Sequence, residues 1–253
     1  MSVLRDQAPR ASWPLLLALV LACGGTENKS ESPGSNGNSE AKQQPSLRER
    51  MHTHFVHLSK AQTAVIEGRL DLAKKASAVV WPEARPNELP ADWQPYIESL
   101  KSGVKLIENA TELETAAMAV SAIGRACGDC HQAFGISTLG AEEKRENPAP
   151  ESLGDYMRLH QWAADRLWEG IVGPSDESWS AGANALSQAK LSSAKIPEHI
   201  LVKPGMKQLV ERVGSFADAA SQPGIGGPEK QRLYGEFLGS CARCHKTFLE
   251  GVD

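Results

Sequence analysis

The chain has 253 residues, of which 41% are hydrophobic and 23% are charged, as in a typical globular protein. Its 27 basic and 31 acidic side chains give a formal net charge of −4 without a basic stretch, so nucleic-acid binding has no electrostatic support. A chain of this length folds as one large domain or as two of about a hundred residues each.

The first segment, residues 1–22, has the features of a secretory signal peptide. Two arginines, Arg5 and Arg10, precede an apolar stretch from Leu15 to Leu21 that is too short to cross a bilayer as a helix. The sequence VLAC at its end resembles a bacterial lipobox, in which the cysteine is lipidated and becomes the mature N-terminus. The resemblance implies a lipid anchor at Cys23 and a location in the periplasm or cell envelope. An ordinary cleaved signal with an incidental cysteine is the alternative.

The next segment, residues 23–45, begins with the predicted lipidation site, Cys23. It is rich in Gly, Ser, Asn, Lys and Glu and has almost nothing to bury, which predicts a disordered tether. Such a tether would hold a folded domain away from the membrane to which Cys23 is anchored.

From Ser46 onward the sequence predicts helices, because Ala, Leu, Glu, Lys and Gln dominate and alternating β-branched runs are missing. Capping-box patterns at Ser46–Glu49 and Thr111–Glu114 predict two helix starts, and Ser175 is expected to cap a third. The predicted helices span about 46–67, 69–82, 91–109, 112–134, 152–170, 175–190, 203–221 and 228–249.

These helices fall into two halves of four, separated by a charged, proline-containing linker at residues 139–151. Four amphipathic helices with mostly short loops favour an antiparallel bundle with its site in the core. We therefore expect an all-α protein of two tandem four-helix bundles, residues 46–138 and 152–253.

The same C-x-x-C-H motif stands near the end of the fourth predicted helix of each half. Its residues are Cys127, Cys130 and His131 in the first half and Cys241, Cys244 and His245 in the second. This spacing is the attachment signature of c-type haem. Positions i, i+3 and i+4 share one face of a helix, so two thiols can form thioethers to a porphyrin while the imidazole reaches its iron. We expect two haem c groups, with His131 and His245 as proximal iron ligands.

Three other uses of the motif fit less well. A thioredoxin-like C-x-x-C needs a strand-to-helix context, which the helical pattern does not supply. A zinc site would have to combine thiolates from two separate repeats, each of which already has its own histidine. A disulfide between cysteines at this spacing inside a helix has poor geometry.

The pattern Arg125-x-Cys127-x-x-Cys130-His131-x-x-Phe134, at the end of a four-helix unit, is similar to that of the cytochrome c-prime family and its low-spin relatives. In that family the haem lies on the last helix, with a basic residue two positions before the first cysteine and an aromatic residue three after the histidine. The second half keeps the aromatic as Phe248 but has Gly239 in place of the basic residue. The resemblance implies that any sixth iron ligand comes from the first helix of each unit.

Both first helices contain the sequence M-x-x-H on their apolar stripe: Met51 with His54, and Met157 with His160. His54 and His160 are the candidate distal ligands, with Met51 and Met157 as alternatives. An open iron and a purely structural histidine with methionine as core filler remain open at this point.

The combined pattern predicts an electron-transfer protein with redox partner proteins rather than an enzyme. If both axial positions of each iron are filled, there is no place for a substrate; bis-His ligation then sets a low potential and His/Met ligation a higher one. The alternatives are a haem module that binds NO or CO at an open iron, as the family resemblance implies, and a dihaem peroxidase with one open iron.

Overall fold

The computed structural model describes residues 46–80, 89–136 and 149–249, apart from the side chain of Leu249. The predicted signal peptide, Cys23, the tether and most of the predicted linker lie outside these residues. Where the structure is described, it consists of helices, turns and connecting segments without a strand, which confirms the all-α prediction. Within the same ranges, no helix combines the length and the apolar character that crossing a membrane requires.

The described helices follow one another along the chain with short connections. Their bounds are α1 Leu47–Ile66, α2 Leu70–Ala78, α3 Gln94–Asn109, α4 Leu113–Ala133, α5 Leu153–Val172, α6 Asp176–Gln188, α7 Glu198–Leu201, α8 Met206–Ala220 and α9 Gly227–Leu249. Two 3₁₀ turns, Ala91–Trp93 and Ser193–Lys195, and the short helix α7 were not predicted from the sequence.

Side-chain caps explain where α1 and α5 begin. Ser46 Oγ accepts a hydrogen bond from the Glu49 backbone N–H while the Glu49 carboxylate accepts from the Ser46 backbone N–H, and Ser152 with Asp155 repeats this capping box. The predicted box at Thr111 is wrong, because α4 starts at Leu113 without a side-chain cap.

The C-terminus of α5 extends beyond its predicted end at residue 170. Gly170 lies inside the helix rather than at its end, and its missing side chain leaves room for the backbone of Trp179, since a Cβ at Gly170 would lie 2.7 Å from the Trp179 nitrogen. The helix continues to Val172, whose carbonyl group accepts a hydrogen bond from the first motif.

Helices α4 and α9, the fourth helices of the two halves, pack against each other at the centre. Ser121 Oγ donates to the Gln231 carbonyl at 2.5 Å, and Arg243 pairs with Glu114. Later residues of α4 thus meet earlier residues of α9, so the pair is antiparallel. Since α4 has 21 residues and is about 30 Å long, the two C-x-x-C-H motifs lie near opposite ends of this pair.

The two halves share one hydrophobic core, with Trp168 and Tyr234 among its fully buried side chains. The Trp168 ring stacks on Tyr234, with centroids 6.1 Å apart, and packs against Gly124 of the first half. The Tyr234 hydroxyl accepts from Gln62 Nε2 at 2.8 Å and donates to the Ala164 carbonyl at 3.1 Å. Helices of both halves therefore contribute to a common interior.

Candidate functional site

The first motif occupies the last turns of α4, where it meets the C-terminal end of α5. His131 Nδ1 lies 2.7 Å from the carbonyl oxygen of Val172. The close approach depends on Gly128, inside the motif, because a Cβ there would overlap the carbonyl oxygen of Ile171. The imidazole of the first half is thus held by a carbonyl of the second half.

The second motif, near the C-terminal end of α9, meets the end of α1 in the same way. His245 Nδ1 lies 2.6 Å from the carbonyl oxygen of Ile66. Two residues later Gly68 adopts a φ of +74°, and a Cβ there would lie 3.2 Å from the Ala242 carbonyl oxygen. The imidazole of the second half is held by a carbonyl of the first half.

These contacts determine which imidazole nitrogen has a lone pair available to bind a metal. A carbonyl oxygen only accepts hydrogen bonds, so Nδ1 of His131 and of His245 must carry the proton and donate it. The lone pair then lies on Nε2, the nitrogen at the outer end of the ring. Ile66 and Val172 are the last residues of α1 and α5, where helix carbonyls have no intrahelical partner.

The four cysteines of the motifs are free thiols in environments that disfavour the thiolate. Burial, and secondarily the neighbouring Cys130, raises the pKa of Cys127 to about 12. Burial and then Cys244 raise the pKa of Cys241 to about 12. Thiol–disulfide enzymes need the opposite, a cysteine with a lowered pKa. The arrangement therefore does not favour redox exchange at sulfur.

A cavity of about 60 Å³ joins the second motif to α5 and α8. Met157 and His160 line this cavity together with Cys241, Cys244 and His245. Burial, and secondarily His245, lowers the pKa of His160 to about 4, so its imidazole is neutral at neutral pH. The structure thus brings the predicted distal pair of the second half to the predicted attachment motif of the same half.

The equivalent pair of the first half lies on α1. His54 is buried, with 5% of its surface exposed, and Met51 is partly buried. Neither residue lines the cavity at the second motif. His160 and Met157 thus lie beside a C-x-x-C-H motif in the structure. His54 and Met51 remain candidate ligands for the first motif.

The surroundings of the two motifs differ in polarity. In the first half, Phe134 packs against Trp93 and Tyr96, with ring centroids 5.5 Å and 6.0 Å away. In the second half, Lys203 Nζ lies 5.8 Å from the ring centroid of Phe248.

The residues between the two cysteines of each motif have opposite charges. Asp129 of the first motif pairs with Arg125 at 2.5 Å, so the basic residue preceding Cys127 is already compensated. Arg243 of the second motif pairs with Glu114 of α4. The second motif therefore has its basic residue between its two cysteines, as Arg243, rather than two positions before the first cysteine, where Gly239 stands.

A larger cleft of about 780 Å³ lies between α1, α2 and α5 and includes no residue of either motif. Gln161 lines both this cleft and the smaller cavity. Within the described ranges, no three His, Cys, Asp or Glu side chains are grouped around a common point for a metal ion. The chemistry of the motifs rather than cavity size therefore identifies the candidate site.

No protein-family model, curated protein or solved structure matches this chain.

Sequence reasoning missed the residues that hold the motif histidines. The carbonyls of Ile66 and Val172 carry no side-chain signal, although the two residues follow His54 and His160 at the same spacing. It also missed Met206, whose Sδ lies 3.5 Å from Cys244 Sγ. The equal spacing marks Ile66 and Val172 as equivalent positions of the repeat, but nothing in the sequence shows that their carbonyls accept hydrogen bonds, and nothing points to Met206.

Proposed function

We propose that this protein is a dihaem c-type cytochrome that transfers electrons outside the cytoplasm. The observation that carries the proposal is the pair of hydrogen bonds from His131 and His245 Nδ1 to main-chain carbonyls. Each bond leaves Nε2 with its lone pair, as an iron ligand requires, and it occurs at both copies of the haem-attachment motif.

The residues present fit haem c in their chemistry. Each motif places two thiols and one oriented imidazole within the last turns of a helix; Cys241 is buried, and Cys127, Cys130 and Cys244 are partly buried. The cavity at the second motif, about 60 Å³, is smaller than the roughly 300–1,000 Å³ of small-molecule pockets. Side chains from α5 and α8 must therefore move outward when a porphyrin is attached.

Each residue of the motif has a role in this proposal. The cysteines would hold haem through thioethers, and His131 and His245 would bind its iron through Nε2. His160, or Met157 beside it, would be the further ligand at the second site, and His54 or Met51 would be the further ligand at the first. The bound haem supplies one-electron redox chemistry.

If His160 and His54, or the neighbouring methionines, hold the iron as well, no coordination site would remain for a substrate, which favours electron transfer. The motifs lie near opposite ends of the α4–α9 pair, so redox partner proteins approaching from different sides would meet different haems. We retain the view of two four-helix units, residues 46–138 and 152–253, joined here through a common core. The lipid anchor at Cys23 and the tether would keep these units at a membrane surface.

The proposal is tested by producing the chain in a bacterium that attaches haem to C-x-x-C-H motifs. The purified protein should show a Soret band, and its colour should stay with the polypeptide in acidified acetone. The matched variants Cys127→Ser/Cys130→Ser and Cys241→Ser/Cys244→Ser should each lose about half of the covalent haem. Colourless protein, or haem that is extracted into the acetone, would contradict the proposal.

The same preparation separates electron transfer from the two alternative functions. A low-spin optical spectrum that does not change when CO is added to the reduced protein supports electron transfer. A high-spin spectrum with a CO shift would indicate a gas-binding module. Turnover of hydrogen peroxide would indicate a dihaem peroxidase.

A further inference from the structure

The hydrogen bonds of the motif histidines cross between the two halves of the chain. His131 belongs to the first half and donates to Val172 of the second, whereas His245 belongs to the second half and donates to Ile66 of the first. Ile66 and Val172 hold the same place in the two copies of the repeat, at the same spacing after His54 and His160. Each half therefore accepts a hydrogen bond from the motif histidine of the other half, and the two acceptors occupy equivalent positions.

We propose that each half of this protein positions the iron-ligating imidazole of the other half. The ends of α1 and α5 act as acceptors, and Gly68 and Gly128 are the positioning residues that allow the helices to approach closely enough. The inference rests on the proposed function, since Nε2 is held in this way for iron. It adds that neither haem site is complete within its own half.

Helix-end chemistry explains why a main-chain carbonyl serves here. The last carbonyls of α1 and α5 need a donor from outside their helix, and the Nδ1–H group of a facing histidine supplies one. A histidine whose Nδ1–H is bound in this way has a fixed tautomer and a more basic Nε2. The contact thus satisfies the helix end and prepares the ligand at the same time.

Two glycines set the spacing of this contact. At Gly128, a methyl group would overlap the Ile171 carbonyl oxygen, one residue before the acceptor. At Gly68, the positive φ of 74° is strained for any other residue, and a methyl group would lie 3.2 Å from the Ala242 oxygen and 3.3 Å from the Lys246 nitrogen. An alanine at either position should push the donor and acceptor helices apart.

The first test uses the unsubstituted chain, prepared without haem and labelled with ¹⁵N-histidine. At a pH where histidines are neutral, long-range ¹H–¹⁵N spectra should show His131 and His245 as the Nδ1–H tautomer, which is the minor form of a free side chain. Signals are assigned by their loss in His131→Gln and His245→Gln. Finding the Nε2–H tautomer at both positions would overturn the proposal.

The second test changes a glycine in one half of the chain and measures the tautomer of the motif histidines in both halves. Gly68→Ala, a change in the first half, should abolish the Nδ1–H signal of His245 and leave that of His131 intact. Gly128→Ala should do the reverse, so the unaffected site shows that the protein is still folded. The matched control is Gly214→Ala in α8, where a Cβ meets nothing within 4 Å and both signals should persist. A folded Gly68→Ala protein with an unchanged His245 signal would overturn the proposal.

The haem-loaded protein gives an independent readout. Losing the hydrogen bond makes Nε2 less basic and favours ferrous iron, so Gly68→Ala should raise the midpoint potential of the second-site haem alone. If one glycine variant does not fold, the tautomer spectra of the unsubstituted chain and of the other glycine variant test the proposal. Absence of haem from the purified protein would refute the proposed function, while the tautomer spectra would still decide how the histidines are positioned.

Discussion

At the scale of single residues, the histidines of this chain divide by their surroundings rather than by their sequence neighbours. His131 and His245 donate through Nδ1 to helix-end carbonyls, whereas His160 lies in a cavity with His245 and two cysteines. Desolvation keeps His160 neutral at pH 7, which is the protonation state of a metal-binding imidazole. These surroundings lead to two predictions about individual side chains.

The first prediction concerns the sixth ligand of the haem-loaded protein. His160→Ala should convert the second-site haem from low-spin to high-spin and open it to CO, because the cavity holds His160 beside the motif. His54→Ala should do the same at the first site only. Optical and EPR spectra of the ferric protein measure both changes. Unchanged low-spin signals in both variants would exclude histidine as the sixth ligand and favour Met157 and Met51.

The second prediction concerns pH and the stability of the haem-free protein. The pKa of His160 is about 4 in the folded protein and 6.5 in the unfolded chain, so between these pH values only the unfolded chain binds the proton. Stability should therefore fall as the pH drops from 6.5 to 4, by on the order of 2 kcal/mol from this residue. Urea unfolding at several pH values measures the effect, and His160→Gln should reduce it. An equal pH dependence in His160→Gln would contradict this assignment.

At the scale of helices, small residues control how closely α4 packs against its neighbours. A Cβ at Gly124 would lie 2.4 Å from a Trp168 ring carbon. The ring of Trp168 on α5 can therefore pack against α4 only because Gly124 has no side chain. Because Trp168 is fully buried between the halves, its ring has no room to withdraw. This contact makes the interface between the halves sensitive to a single methyl group.

The third prediction follows from that contact. Gly124→Ala should destabilise the protein by about 1–3 kcal/mol, as overpacking of a core does. Gly214→Ala is the matched control: it also replaces a helical glycine, but it meets nothing within 4 Å and should be neutral or stabilising by up to about 1 kcal/mol. Urea denaturation midpoints compare the two. Equal stability of both variants would show that the Trp168 contact is not tight in solution.

The fourth prediction concerns the movement that haem attachment requires. The cavity at the second motif is lined by Met157 of α5 and by Leu209, Val210 and Val213 of α8. Because about 60 Å³ does not accommodate a porphyrin, attachment should separate α5 from α8 around these side chains. Hydrogen exchange of haem-free and haem-loaded protein should differ most in these two helices. Identical exchange patterns would mean that the haem lies elsewhere.

At the scale of the whole molecule, two similar sites stand in different electrostatic fields. At the first motif Asp129 and Arg125 compensate each other, whereas Asp92 is close enough to raise the pKa of Cys130 after the larger effect of burial. At the second motif Arg243 and Glu114 compensate each other, whereas Lys203 lies over Phe248 at the end of the motif. Negative charge stabilises ferric haem and positive charge stabilises ferrous haem.

The fifth prediction rests on the proposed function: in the haem-loaded protein the second-site haem should have a higher midpoint potential than the first-site haem. Electrons would then rest at the C-terminal site and move there from the first. Asp129→Asn should raise the potential of the first-site haem because it leaves the charge of Arg125 uncompensated. The control Asp218→Asn changes a residue of α8 in an exposed ion pair with Lys190 and should change neither potential. Spectroscopic redox titration measures the order. A first-site haem with the higher potential would contradict this charge argument.

Local chemistry determined what could be read directly from the sequence. Capping residues and helical periodicity placed most helices to within a few residues, and the spacing of Cys127, Cys130 and His131 identified the motif because such patterns depend on residues only a few positions apart. The repeat of M-x-x-H likewise pointed to His160, which the structure places beside the second motif.

Only the tertiary structure decided how the halves combine. The acceptors at Ile66 and Val172 are main-chain groups without a residue-type signal, and each is reached from a histidine in the other half of the chain. Gly128 and Gly124 are ordinary helical glycines in the sequence, and their purpose depends on which helix packs over them. Contacts between distant segments are set by the packing of the common core, which no local pattern encodes.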